Sequence, residues 1–373
     1  MQRHAKTSRT QVAKSTFRSK RSKLKRKIRN TRLCSWEVTE QAQEKLRLIK
    51  FPKHRVTRAN DFVSAKRVQI KAPRIIDYYS RYTFEETNKF IQGVVSCVRD
   101  SKRRVFIDFS NTEKISAAAM LSLLAEVDIL TKLSSHGKWA ISFGHPKESK
   151  VESILKQVGF YDIVGKEKRE TIDYDDVTFW KYCSGKCSEP LIAKPILEEI
   201  KNELEKRASK KLYRGFVEAM SNSVEHAYLE DPLHCEENNT AKWWTFAGIK
   251  DRKLTVVICD KGVGIPATLP KTQGVSKLND ILTSLGYKTH KITDGKYIRA
   301  ATSLRRTRTG SKNRGKGLSD IKAVIDTIGK GSLLIFSNKG GYRYKAQKIV
   351  DGGITDYKTS VCGTIIEWTI PLD

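Results

Sequence analysis

Two carboxylates, one amide and a set of glycines are the residues of this chain best placed to do chemistry. In LYRGFVEAMSNSVEHAYLED, Glu218 and Asn222 stand four residues apart, with Glu225 and His226 just beyond. On a helix that spacing gathers the side chains on one face, where a carboxylate can hold a water and an amide a metal ion. A solvated helix face with a satisfied histidine fits the same pattern. Further along, KLTVVICDKGVGIP ends an apolar run at Asp260 and follows it with Gly262 and Gly264. A carboxylate at a strand end can accept a hydrogen bond from a flat ligand, and alternate glycines let the backbone approach it closely. An ordinary strand-to-turn exit looks the same.

The third stretch, TGSKNRGKGLSD from Thr309 to Asp320, has nearly the spacing of a phosphate-binding P-loop. Gly317 stands where that motif needs a magnesium-binding Ser or Thr, and RAATSLRRTR precedes it in place of a buried strand. What is left is a basic glycine turn leading into a helix, whose free N–H groups and positive dipole end suit an anion. A plain helix start behind a solvated basic loop is the alternative.

Regular elements must hold these groups. Leu212, Phe216, Ala219, Met220, Ser223 and Ala227 share one face of a helix, and Leu254 to Cys259 reads as a strand. Leu318, Ile321, Val324, Ile325 and Ile328 recur at helical spacing after the glycine turn, and CGTIIEWTIPL reads as a last strand. Upstream, strands at Val68 to Ala72, RRVFIDFS and KWAISFG alternate with helices in TFEETNKFIQGVVSCV, SAAAMLSLLAEVDILTKL and ESKVESILKQVGF. Val105, Ile107 and Phe109 fall on one strand face. Such alternation predicts an α/β layer fold.

The 373 residues suffice for two or three domains, and 39% hydrophobic content gives them cores. No apolar run is long enough to cross a membrane, and MQRHAKTSRTQVAK lacks the apolar core of a secretion signal. Its Arg, Ser and Thr content overlaps with that of organelle transit peptides; a basic tail is the simpler reading. The seven cysteines are scattered singly, which fits reduced thiols and a cytoplasmic setting. The net charge is +30, of which residues 1–32 supply +13, leaving +17 for the rest. Such a field attracts polyanions, with nucleic acid the expected partner of the arm. A soluble basic protein whose arm contacts nothing specific is the other outcome.

The order of the three chemical segments resembles the GHKL superfamily of ATP-binding domains, shared by gyrases, heat-shock chaperones, histidine kinases and anti-sigma-factor kinases. The likeness runs from about residue 208 to the end of the chain. It implies a Bergerat-type fold binding ATP and Mg²⁺, with Asn222 on the metal and Glu218 polarising the attacking water. Asp260 would take the adenine amino group over a floor shaped by Gly262 and Gly264. Gly315, Lys316 and Gly317 would meet the phosphates, and Gly363 with Thr364 would complete the adenine pocket. Residues 265–314 would form a long lid containing one extra helix, SKLNDILTSLGY. NSVEHAY is most similar to the anti-sigma-factor serine kinases.

IDFSNTEKISAAAML resembles the STAS domains that such kinases phosphorylate. Alignment on Asp108 and Ser110 puts the phosphoacceptor position at Ala118, which has no hydroxyl, and Ser116 is expected to be a helix N-cap. The expected organisation is therefore a basic arm and short helix (1–60), a STAS-like α/β domain (61–172) and a GHKL domain (173–373), each of the two domains an α+β two-layer sandwich. The expected function is an ATP-binding, Mg²⁺-dependent hydrolase that controls a protein partner through its STAS-like domain and is able to homodimerise. The alternatives are a serine/threonine kinase acting on a separate STAS partner, and a nucleic-acid-binding protein with a degenerate nucleotide fold.

Overall fold

In the computed structural model of the chain, the described residues are 67–168, 174, 177–179, 182–228, 240–288, 292–304, 318–346 and 348–372. The basic arm and short helix assigned to 1–60, and the phosphate-loop residues Gly315, Lys316 and Gly317, lie outside them.

The first unit is built on three short parallel strands, β1 (Val68–Lys71), β3 (Val105–Asp108) and β5 (Ile141–Gly144), with β3 in the centre. Two-residue strands β2 (Ile75–Ile76) and β4 (Lys114–Ile115) pair beside them. Parallel neighbours need crossovers, which helix α1 (Arg81–Val95) and helix α2 (Ala117–Leu133) provide. Val105, Ile107 and Phe109 are all fully buried, as their alternation requires. The single helix expected in ESKVESILKQVGF is broken in two, α3 (Ser149–Gln157) and α4 (Phe160–Val164), because Gly159 between them takes a left-handed conformation. Ser116 does occupy the N-cap position of α2, but its side chain makes no capping bond.

Eight antiparallel strands form the second unit's sheet, in the order β12 (Lys348–Asp356), β11 (Gly340–Lys345), β10 (Ser332–Ser337), β13 (Thr364–Pro371), β9 (Lys253–Asp260), β8 (Trp243–Lys250) and β6 (Val177–Phe179), with β7 (Cys183–Gly185) also pairing with β8. Both faces of this sheet are covered. Trp243, Ala247, Val256, Ile258, Leu333 and Ile335 point into one core. Their alternate neighbours Trp244, Phe246, Val257, Cys259, Leu334 and Phe336 point into the other. Covered on both sides, the strands read as unbroken apolar runs rather than as alternating ones.

Helices α5 (Lys194–Glu203), α6 (Lys206–Glu225), α7 (Ile265–Gln273), α8 (Val275–Ser284), α9 (Asp294–Ser303) and α10 (Leu318–Ile328) fill the first core. The second core is filled by the first unit. Helix α2 lies against β8, β9 and β13, and every residue from Ala118 to Thr131 is buried. A helix apolar on all sides must be enclosed on all sides, and α2 satisfies this by lying between the small parallel sheet and the large one. The separate two-layer sandwiches expected from the sequence are thus joined through a shared core into one mixed α/β body.

Polar groups tie the join. Trp244 Nε1 donates to Asp128 Oδ2 at 2.9 Å, and Glu85 accepts from the backbone of Lys358 and Thr359 at 2.6 and 3.0 Å. Glu367 of β13 accepts from Tyr79 Oη and from the backbone N–H of Ala118, so a carboxylate from one unit sits at the N-terminus of the other unit's helix. Ala118 itself is fully buried.

The stretch expected as a lid, 265–314, is largely helical over its described length. Residues 265–284 and 294–303 are helices α7, α8 and α9, and Leu278, Leu282, Ile298, Ala300 and Ala301 are buried in the core. Helix α8 overlaps the extra helix expected in SKLNDILTSLGY, and apolar side chains at helical spacing pack the described part of this insertion into the core. Among the described residues no helix is long and apolar enough to cross a membrane.

Candidate functional site

The carboxylate of Asp260 is the centre on which three segments converge. It closes β9, and its Oδ1 accepts from the backbone N–H of Gly262 at 3.0 Å and of Thr364 at 3.2 Å. Its Oδ2 lies 3.5 Å from Ser223 Oγ on α6. The register explains the meeting, because Asp260 and Thr364 are direct partners across β9 and β13.

The glycines after Asp260 have separate reasons. A Cβ on Gly262 would stand 2.1 Å from the carbonyl oxygen of Ala227, so only glycine lets the turn pass beneath the end of α6. The N–H of Val263 donates to that same carbonyl at 2.8 Å. Gly264 has φ +81°, a left-handed conformation that a side chain would strain. Asn338 braces this turn by donating from Nδ2 to the Val263 carbonyl at 2.8 Å. Ser337 Oγ accepts from Ile265 N–H at 2.9 Å and lies 3.0 Å from Thr364 Oγ1.

Glu218 and Asn222 lie one turn apart on α6, both half-buried, with Ser223 next to Asn222. The Nδ2 atom of Asn222 is buried and has no hydrogen-bond partner among the described residues. Glu225 and His226 do not join the cluster. They sit beside each other at the surface, His226 Nε2 lying 4.0 Å from Glu225 Oε2 at the end of the helix. Helix α10 packs on α6 and is tied to β13 by Trp368 Nε1, which donates to the Ile321 carbonyl at 3.0 Å. It begins at Leu318, directly after the GKG tripeptide.

Burial raises the Asp260 carboxyl to about 6, against the lowering pull of its Gly262 and Thr364 donors and of the Lys261 ammonium. Lys261 points the other way, as consecutive residues of extended chain do. Its Nζ donates to Ser122 Oγ at 2.8 Å and to the Val361 carbonyl at 3.2 Å, and lies 3.3 Å from Glu126 Oε1 on α2. Burial works against its charge, but the Glu126 carboxylate, together with the smaller contributions of Tyr78, Cys259 and Cys362, outweighs this and holds the ammonium protonated. Its backbone N–H donates to Tyr228 Oη at 2.8 Å.

Sequence reasoning missed Ser337, Asn338, Tyr228 and Lys261. The first two lie in IFSNKGG, which carries no motif. Lys261 had one visible signal, the acids Glu126 and Asp128 inside an otherwise apolar helix that must be answered by buried cations or donors. Among the described residues no group of three or more His, Cys, Asp or Glu could hold a metal ion. A cleft of about 500 Å³ between the units, lined by Asp128, Lys132, Lys138, Asp162 and Tyr182, shares no residue with the Asp260 cluster. Neither a protein-family model nor a curated protein matches this chain.

Proposed function

We propose that the chain binds Mg²⁺-ATP in a GHKL-type site at the Asp260 end of the large sheet, and that its nucleotide state regulates a protein partner. The observation that carries this reading is the convergence on Asp260 of α6, the glycine turn and the start of β13. The antiparallel sheet with α6 and α10 on one face supports the Bergerat-type assignment, and the parallel strands crossed by α1 and α2 support a STAS-like first unit.

The residues present fit the nucleotide. Asp260, half of whose acceptor capacity is already taken by backbone donors, offers a carboxylate oxygen to an exocyclic amino group. Gly262, Gly264 and Thr364 shape the pocket around it. The buried Nδ2 of Asn222 lacks an acceptor, which a phosphate oxygen would supply, and its Oδ1 is the amide atom able to take Mg²⁺. With no ready cage of acids, the ion would come with its phosphates, which is how Mg²⁺ is ordinarily bound in such sites. Gly315, Lys316, Gly317 and the N-terminus of α10 would face those phosphates. Bound ATP supplies a transferable phosphoryl group, and the protein's share is positioning and charge, with Glu218 orienting the water.

Phosphorylation of the first unit by the second is disfavoured, because Ala118 has no hydroxyl and is fully buried. Thermal unfolding with and without Mg²⁺-ATP tests the reading. A rise in Tm that Asn222→Ala abolishes supports it, and no rise in the wild type overturns it. With γ-labelled ATP and lysate, free phosphate identifies a hydrolase and labelled protein a kinase acting in trans.

A further inference from the structure

At the opposite end of the large sheet from Asp260, the structure gathers cations that the nucleotide site does not use. Helix α6 runs in the same sense as β9. Its C-terminal turns meet Asp260 through Ser223, and its middle lies over Trp368 at Gly215, opposite Val256. Its first turns therefore lie over the start of β9, beside the β8–β9 turn.

The exposed side of those turns reads Lys206, Arg207, Lys210, Tyr213 and Arg214. They fall at i, i+3 and i+4 and form one stripe. The turn below adds Lys250, Arg252 and Lys253, also exposed. Among the described residues of the last turn of α5, the first turns of α6 and the β8–β9 turn, the acids are Glu203, Glu205 and Asp251, fewer than the cations. The first turn of α6 holds no acid and places Lys206 and Arg207 at the positive pole of the helix dipole. Lys206 with Lys210 and Lys210 with Arg214 are like-charge i, i+4 pairs, each costing the helix a few tenths of a kcal/mol. Among the described residues no ion pair answers Lys206, Arg207, Lys210 or Arg214 of this stripe, and an external polyanion would.

We propose that this face, the first three turns of α6 with the β8–β9 turn, binds a nucleic-acid strand, its cations on phosphates and Tyr213 stacked on a base. Tyr213 decides between polyanions. It is 41% exposed and sits between Lys210 and Arg214, a basic surface interleaved with an aromatic platform that suits single-stranded nucleic acid. The stripe carries no large aliphatic side chain to enter a lipid surface. Its residues are other than those of the basic arm, and it stands or falls independently of ATP binding.

The full-length protein and a short fluorescein-labelled oligothymidylate provide the test, by anisotropy over a range of salt. The triple variant Lys206→Gln, Lys210→Gln, Arg214→Gln should flatten the slope of log K against log salt by about 2, near 0.7 per phosphate contact. Tyr213→Ala should weaken binding by about 10-fold at fixed salt. Lys71→Gln, Lys114→Gln, Lys147→Gln removes equal charge from exposed positions of the first unit and should leave the slope unchanged. Equal flattening by that control overturns the proposal. So does binding lost with residues 1–32 but untouched by the triple variant, or capture by phosphatidylserine vesicles without capture of the oligonucleotide. The substituted residues are on the surface, so a Tm no lower than that of the wild type confirms that each variant is folded.

Discussion

The ammonium of Lys261 lies 3.3 Å from the Glu126 carboxylate, with the two side chains 3% and 5% exposed. The pair joins the glycine turn of one unit to the central helix of the other, one residue from the carboxylate assigned to adenine. A buried pair of this kind adds little to stability over an apolar substitute, but removing one partner strands the other. Lys261→Met should therefore destabilise the protein by about 3 kcal/mol, at the low end for such a loss because Arg99 remains 3.8 Å from Glu126. The double variant Lys261→Met, Glu126→Leu should recover most of that. Urea midpoints of the three proteins measure it, and equal losses in single and double variants would refute the coupling.

Asp260 should be a stability cost that the site retains for function. Burial raises its folded-state value from 3.8 to about 6, so the folded chain keeps this proton to higher pH than the unfolded chain does. The favourable contribution is complete below about pH 4 and is lost as pH rises to about 6, a span worth about 3 kcal/mol. Asn at this position can still accept from Gly262 and Thr364 without carrying the charge. Asp260→Asn should thus be more stable than wild type at pH 8, with the advantage shrinking towards pH 4, and should show no Tm rise with Mg²⁺-ATP. Comparing the two proteins cancels Glu367, which burial raises to about 7 and which titrates in the same sense.

The glycine turn can be tested against a glycine that packing does not need. Gly262→Ala puts a methyl 2.1 Å from the Ala227 carbonyl and should cost about 2 kcal/mol or more, with loss of the ATP-dependent Tm rise. Gly93→Ala, on the exposed side of α1 with nothing within 4 Å, should raise stability by about 0.5 to 1 kcal/mol. Calorimetry of both variants checks the contrast.

Glu218→Ala separates binding from turnover. If Glu218 orients the water, the variant keeps the Mg²⁺-ATP Tm rise while phosphate release falls by about 10²- to 10⁴-fold. Asn222→Ala should lose both. Unchanged release in Glu218→Ala would remove that residue from the chemistry.

What could be read from the sequence follows from where the information sits. The face Leu212, Phe216, Ala219, Met220, Ser223 and Ala227 was legible because helical periodicity is local, and all six are buried. Asp260 and Thr364 were legible because short motifs mark them, although they come together only through the β9–β13 register. The unbroken run LTVVIC revealed a strand, but not that Val257 and Cys259 face α2 while Val256 and Ile258 face α6 and α10. That depends on a packing partner more than a hundred residues away. Within 265–304 the helix in SKLNDILTSLGY was legible from its periodicity and overlaps α8, but α7 and α9 were not, because an insertion between motifs has no motif of its own.

With α2 on one side and α5 to α10 on the other, the large sheet has no broad surface left to share. Among the described residues its outer strands are β12 at one margin and β6 with β7 at the other. Any second chain that joins it by main-chain pairing must lengthen the sheet sideways, from one of these margins. Growth of that kind adds strands in the plane without parting the two units, so an assembly formed this way would keep Asp260, Lys261 and the shared core as they stand in the single chain.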